Sequence, residues 1–169
     1  MSDGYDGADF DRAVAAVSSE RSPRVLVERL GIDWDYLSWL ALDASAAVLG
    51  ERGEERGAVI SYAAEAFTAG FLVGVHLARE PRPAPERLGA AVDLVQARGR
   101  HAVIADHCDL ASVARLETVY SEALVESMDV AEAEPEALRA PVTRVFEAGL
   151  AVGLEVSSGG ERSLDSEQP

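Results

Sequence analysis

Apolar residues recur along most of this chain every three or four positions, the spacing that places them on one face of an α-helix. Helix boundaries accompany the pattern: Ser22-Pro23 opens one helix with a capping hydroxyl and a proline, and Gly31 closes it. These signals predict an all-α protein with about six to seven helices. The predicted helices span about 9–17, 23–30, 33–50, 54–80, 85–98, 109–130 and 135–156.

Two places leave this prediction open. The run from Ala102 to Ala105 is apolar but too short for its period to decide, so 101–107 is either a strand or a helical turn. Pro141 falls inside the last predicted helix, where a proline removes one backbone hydrogen bond. We therefore expect a kink or a new helix start at that residue.

The predicted helix at 33–50 is apolar on two sides, with Trp39, Leu42 and Leu49 forming its second stripe. A helix of this kind is typical of the centre of a bundle, so the sequence predicts a central position for it. In the last predicted helix, Glu147 and Glu155 fall opposite the apolar stripe, which predicts a polar outer face there.

One pattern, F-x-A-G-x-x-V-G, occurs at 67–74 and again at 146–153. Its two glycines are four residues apart and therefore share one face of a helix. Because glycine inside a helix costs about 0.5–1 kcal/mol relative to alanine, two such pairs indicate a compensating close contact. The predicted contact, here called the glycine seam, comprises Phe67, Gly70, Gly74, Phe146, Gly149 and Gly153.

The two copies also indicate an internal repeat. Aligning 58–75 with 137–154 at an offset of 79 gives six identities in 18 positions. The sequence therefore predicts two pseudo-repeated helical hairpins, 33–78 and 112–157, packed through their Gly-x-x-x-Gly faces. Chance similarity between two alanine-rich helices is the alternative, and the seam could form within one chain or across a homodimer.

The sequence predicts one domain flanked by two unstructured segments. Residues 8–156 form one all-α domain, 1–7 a flexible N-terminus, and 157–169 a disordered tail that is rich in glycine, serine and charge.

The chain is strongly acidic. The 169 residues include 30 acids and 15 bases, all of them arginine, for a net charge of −15. Such a chain repels nucleic acid and anionic membranes, so neither is expected as a partner. GC-rich coding would explain the missing lysine but not the twofold excess of acid, which favours adaptation to high salt.

The expected compartment is the cytoplasm. Cys108 is the single cysteine, so no disulfide can form within the chain. The first residues are acidic and polar, unlike a signal peptide. The longest uncharged run, 66–78, is shorter than the roughly 20 apolar residues of a membrane span.

Candidate chemistry is concentrated in one segment. Imidazole, carboxylate and thiolate groups are metal ligands, which makes His101, Asp106, His107 and Cys108 a candidate metal site. Their spacing matches no established template. Cys108 is equally well explained as a small buried apolar residue, and Asp109 as a helix cap.

Two charge clusters offer further possibilities. Seven acids and no base lie between 116 and 138, and Glu122 and Glu126 are the candidates there for a metal-dependent hydrolase. A solvated helix face explains them more simply. Five arginines crowd 79–100 and form a modestly basic patch that could meet an anionic ligand or another subunit.

The function predicted from the sequence is a non-catalytic helical interaction or accessory protein adapted to high salt. It is expected to form a homo-oligomer or to bind a protein partner, and to need no cofactor. One alternative is a metal- or small-ligand-binding protein that uses 101–109, and the other is a hydrolase that uses the acids of 117–136.

Overall fold

The computed structural model describes residues 4–20, 22–50, 57–78, 80–109, 111, 113–115, 118 and 135–165. Regular structure across these ranges is helical, which confirms the all-α prediction. The helices are α1 (Gly7–Ser18), α2 (Pro23–Arg29), α3 (Trp34–Gly50), α4 (Gly57–His76), α5 (Leu88–Arg98), α6 (Arg100–Ala105) and α7 (Pro135–Asp165), with a 3₁₀ turn at Pro85–Arg87 before α5.

Helices α4 and α7 form the centre of the fold and pack against each other more extensively than any other pair. Every residue from 70 to 75 and every residue from 145 to 156 is buried. A helix that is buried on all sides must be surrounded by other elements, and α1, α2, α3, α5 and α6 each contact one or both of these two.

The backbones of α4 and α7 approach closely at their glycines. A β-carbon at Gly70 would collide with the carbonyl oxygen of Phe146, and one at Gly149 would collide with the carbonyl oxygen of Phe67. Both phenylalanines are buried beside these crossing points, at 0% and 4% exposure for Phe67 and Phe146. No side chain larger than hydrogen fits at either glycine unless the helices separate.

One turn further along, the same relation recurs. A β-carbon at Gly74 would lie 2.6 Å from the carbonyl oxygen of Leu150, and one at Gly153 would collide with the carbonyl oxygen of Phe71. All these contacts lie within a single chain. A homodimer of this protein would therefore need a different surface.

The N-terminal helix is tied to the central pair. The guanidinium of Arg12 donates to the carbonyl oxygens of His76, at 3.1 Å, and Leu77, at 2.6 Å. These carbonyls lie at the C-terminal end of α4, where an arginine satisfies acceptors that the helix leaves open. Asp6 caps α1 in a reciprocal capping box with Asp9.

Several local features differ from the sequence predictions. Residues 4–7, expected to be flexible, hold Tyr5 in an isolated backbone bridge to Cys108 and include the cap of α1. In the segment at 101–107, for which a strand and a helical turn were both open, residues 101–105 are helical and belong to α6. Helix α7 runs through Pro141 and on to Asp165, so 157–165, expected in the tail, lie in its last turns. A new helix start at Pro141, one of the two expected outcomes, is therefore wrong, because α7 is continuous through this residue.

Candidate functional site

Two buried carboxylates lie on the same side of α7. Glu147 is 6% exposed and Glu155 is 8% exposed, and they are eight positions apart, which corresponds to about two helical turns. Their helical phase predicted a polar outer face, yet α6 and the turn after it cover them. Because a buried carboxylate is costly unless paired, each must have a donor or a cation close by.

Glu147 is paired with the first two residues of α6. Arg100 donates from Nε to Oε2 of Glu147 at 3.1 Å, and Nε2 of His101 contacts the same oxygen. The Arg100 side chain is 22% exposed, whereas that of His101 is 67% exposed. Gly99, with a φ of +91°, ends α5 and lets the chain turn directly into α6. This turn places the side chains of Arg100 and His101 against α7.

Glu155 is paired with His107, the second residue after α6. Nε2 of His107 lies 3.2 Å from Oε1 of Glu155, and both side chains are 8% exposed. The backbone of His107 also binds the N-terminal segment. The carbonyl oxygen of His107 accepts from the amide of Tyr5 at 2.9 Å. The segment that holds the two histidines is thus fastened to α7 at two points.

The other two predicted metal ligands have different surroundings. Asp106 accepts from Arg98 at 2.9 Å. Cys108 is buried, and this burial, with smaller contributions from Asp109 and Asp9, raises the pKa of its thiol to about 12. A thiol that keeps its proton is a poor metal ligand.

The four predicted ligands therefore do not converge in the described structure. His101, His107 and Asp106 each have a separate charged partner, and Cys108 packs in the core. Among the described residues, no three His, Cys, Asp or Glu side chains are arranged to share a metal ion. The metal site on these residues stays a prediction without a geometric basis in this part of the chain.

A cleft of about 240 Å³ opens beside Arg100. Its walls come from α3, α4, α5 and α7, and most of them are small apolar side chains. The polar members of its lining are Gln96 and Arg100. The residues of the cleft are Ala44, Ala47, Val48, Phe67, Val92, Val95, Gln96, Gly99, Arg100, Ala148 and Val152.

A second surface lies on the outer side of α3. Trp39 is 69% exposed, with Tyr36 at 48% and Leu42 at 43%. Asp35 and Asp43, four residues before and after Trp39, are also exposed. These five residues share one side of the helix and are here called the α3 face. The predicted burial of α3 on two sides was wrong for part of its second stripe. Leu37, Ala41 and Ala44 of the first stripe are buried, and so is Leu49 of the second, but Trp39 and Leu42 are exposed.

Some predicted features lie outside the described residues. They include the acids Glu122 and Glu126, Arg79 of the basic patch, and most of 112–134 in the second predicted repeat. The glycine seam and the segment at 101–109 are within the described ranges.

No described helix combines the length and apolar character needed to cross a membrane. Comparison with protein-family models, curated proteins and solved structures finds no match to this chain. Function is therefore inferred from the chemistry of the described residues.

Proposed function

We propose that this protein is a non-catalytic helical interaction protein, and that it pairs with a second copy of itself through the α3 face. The observation that carries this proposal is Trp39, whose side chain is 69% exposed although it lies in the middle of a long helix. Tyr36 and Leu42 flank it on the same side. Tryptophan and tyrosine are the residues that most often supply binding energy at protein interfaces.

The glycine contacts support the choice of this surface. The expected homo-oligomer could have used the glycine seam, but those glycines approach each other within one chain. The α3 face offers aromatic and aliphatic area on a single helix, which suits a self-complementary interface between two copies related by a twofold axis.

The charges of the α3 face make this pairing dependent on salt. Asp35 and Asp43 lie one turn either side of Trp39, and two paired faces would bring four carboxylates together. Arg24 interacts electrostatically with Asp35. Arg24 is already bonded to Glu28 at 2.9 Å. Salt would screen the repulsion between the two copies, which fits the proposed adaptation of a chain of charge −15 to high salt.

Sedimentation velocity over a range of protein concentrations tests this function. We expect a dimer whose population rises between about 0.1 M and about 1 M NaCl, as the Debye length falls from about 10 Å to about 3 Å. The variant Trp39→Gln should be monomeric at both salt concentrations. Ala105→Gln, an exposed change on α6, serves as the control and should dimerise like the wild type. A wild type that stays monomeric throughout would overturn the proposal, as would a Trp39→Gln dimer of unchanged strength.

We also infer that α4 and α7 descend from one repeated unit. The support is that each close contact between α4 and α7 has a counterpart in which both residues are shifted by 79 positions, the offset of the sequence repeat. Gly70 meets Phe146 as Gly149 meets Phe67, and each residue is the offset equivalent of its counterpart. Gly70→Ala and Gly149→Ala should then lower the free energy of unfolding by similar amounts in chemical denaturation. A large loss from one variant and none from the other would contradict equivalent contacts.

A further inference from the structure

The cleft between α3, α4, α5 and α7 is smaller than the pockets of about 300–1,000 Å³ that hold drug-sized ligands, which limits it to a small compound. Liquid water occupies about 30 Å³ per molecule, so a volume of about 240 Å³ corresponds to a compound of about eight non-hydrogen atoms. Val48, Val92, Val95 and Val152 give the cleft branched aliphatic walls, and Phe67 adds an aromatic ring. Walls of this kind favour a short hydrocarbon chain over a polar metabolite.

The lining of the cleft includes a cation that is held in place by an ion pair. Arg100 uses its Nε to bond Glu147, which is itself buried on α7. Among the described residues the guanidinium makes no other hydrogen bond or ion pair, so the N–H groups of its two terminal nitrogens remain available. A planar guanidinium matches the two oxygens of a carboxylate, and a guanidinium already held in place loses little side-chain entropy on binding one.

The neighbouring acids do not occupy the terminal N–H groups of Arg100. Glu147 accepts from both Arg100 and His101, and Asp106 accepts from Arg98. An anionic headgroup at the cleft would therefore meet donors, whereas a cationic headgroup would meet the guanidinium itself. A chain with a net charge of −15 attracts cations in general, so a preference of the cleft for an anion would be easy to distinguish from general electrostatic attraction.

We propose that this cleft binds a small aliphatic monocarboxylate, with its hydrocarbon chain between the valine walls and its carboxylate on Arg100. Glu147 acts as a positioning residue that fixes the guanidinium at the rim. The site is independent of dimerisation through the α3 face, so either proposal can fail without the other.

Three probes with the same six-carbon chain test the headgroup: hexanoate, hexan-1-ol and hexylammonium. Each is titrated into ¹⁵N-labelled protein, and the backbone amides of Gly99 and Arg100 report occupancy of the cleft. We expect saturable shifts with hexanoate, binding of hexan-1-ol that is roughly tenfold weaker, and no saturable shift with hexylammonium. Equal binding of all three probes, or tightest binding of hexylammonium, would overturn the assignment of the carboxylate to Arg100.

Paired variants locate the interaction. Arg100→Gln should weaken hexanoate by about tenfold, to the level of hexan-1-ol, and leave hexan-1-ol unchanged. Arg98→Gln removes the same charge two residues away, outside the lining of the cleft, and should leave hexanoate binding as in the wild type. Unchanged hexanoate binding in Arg100→Gln, or an equal loss in Arg98→Gln, would contradict the proposal.

A second variant keeps the test decisive if Arg100→Gln does not fold. Val48 is half-buried at the wall of the cleft, so Val48→Phe adds volume there from a position that can adjust toward solvent. Hexanoate and hexan-1-ol should both lose saturable binding in this variant, provided that the dispersion of its amide spectrum shows a folded protein. Retained binding of both probes would place them elsewhere and overturn the proposed site.

Discussion

Gly74 and Gly153 face each other across the contact of α4 and α7, and a β-carbon built on either would lie 3.1 Å from the Cα of the other. The relation is reciprocal, and it shows why both helices carry glycine at a position where glycine costs stability. The compensation is the close packing of two backbones along the centre of the fold, where every surrounding residue is buried.

Gly74→Ala should destabilise the protein. The new methyl group would lie 2.6 Å from the carbonyl oxygen of Leu150, which belongs to a helix backbone and cannot move alone. We expect a loss of about 1–3 kcal/mol in the free energy of unfolding, measured by urea denaturation. The control is Gly89→Ala in α5, where the new methyl would meet only the hydroxyl of Tyr36, at 3.2 Å, on a side chain that can move. That change should be neutral or stabilising by up to about 1 kcal/mol, and a similar loss from both variants would argue against a backbone collision.

The thiol of Cys108 should make stability depend on pH in the alkaline range. Its burial, with Asp109 and Asp9, raises its pKa from 9.0 to about 12, so the folded protein keeps a proton that the unfolded chain releases. Stability must therefore fall as pH rises from about 9 toward 12, by up to about 1.4 kcal/mol per pH unit. Between pH 8 and pH 10, urea unfolding should show a larger fall for the wild type than for Cys108→Ala, by on the order of 1 kcal/mol. Equal falls would show that this thiol is not buried as described.

The pairing of Glu147 should contribute more to stability than a surface ion pair does. Glu147→Gln keeps the shape of the side chain but leaves Arg100 and His101 without a charged acceptor, and we expect a loss of about 1–3 kcal/mol. Glu28→Gln is the matched control, because it breaks the pair of Glu28 with Arg24, whose side chains are 52% and 61% exposed. A smaller loss is expected there, because solvent screens an exposed ion pair. Thermal or chemical unfolding of the two variants side by side measures the difference, and a greater loss from Glu28→Gln would contradict the assigned burial.

Folding itself should weaken as salt is removed. A net charge of −15 on one small domain implies self-repulsion that counterions reduce. Between about 1 M and about 0.01 M NaCl the Debye length grows from about 3 Å to about 30 Å, so the free energy of unfolding should fall over this range. The Trp39→Gln variant, measured in parallel, separates this effect from any salt-dependent dimerisation. An unfolding free energy that is the same at both ends would remove the argument for adaptation to high salt.

Local sequence signals were sufficient to place α1 to α5 and the start of α7 in their order, although they left α6 ambiguous and ended α7 too early. The 3.6-residue period, the Ser22-Pro23 start and the glycine stops act over a few neighbouring residues, so they can be recognised without knowing what packs against each helix. The repeated glycine pattern also pointed to the positions where α4 and α7 approach, because glycine inside a helix has a cost that a close contact would explain.

Packing between helices sets which polar and apolar residues depart from that local pattern. Helical phase placed Glu147 and Glu155 on an outer face, but α6 covers that face, and only the packing of a distant segment could reveal it. The same phase made Trp39 part of a buried stripe, although no described element covers it. Burial of a helix side depends on its neighbours in space, which the period of a single helix does not contain. For that reason the cleft beside Arg100 and the α3 face became visible only in the folded chain.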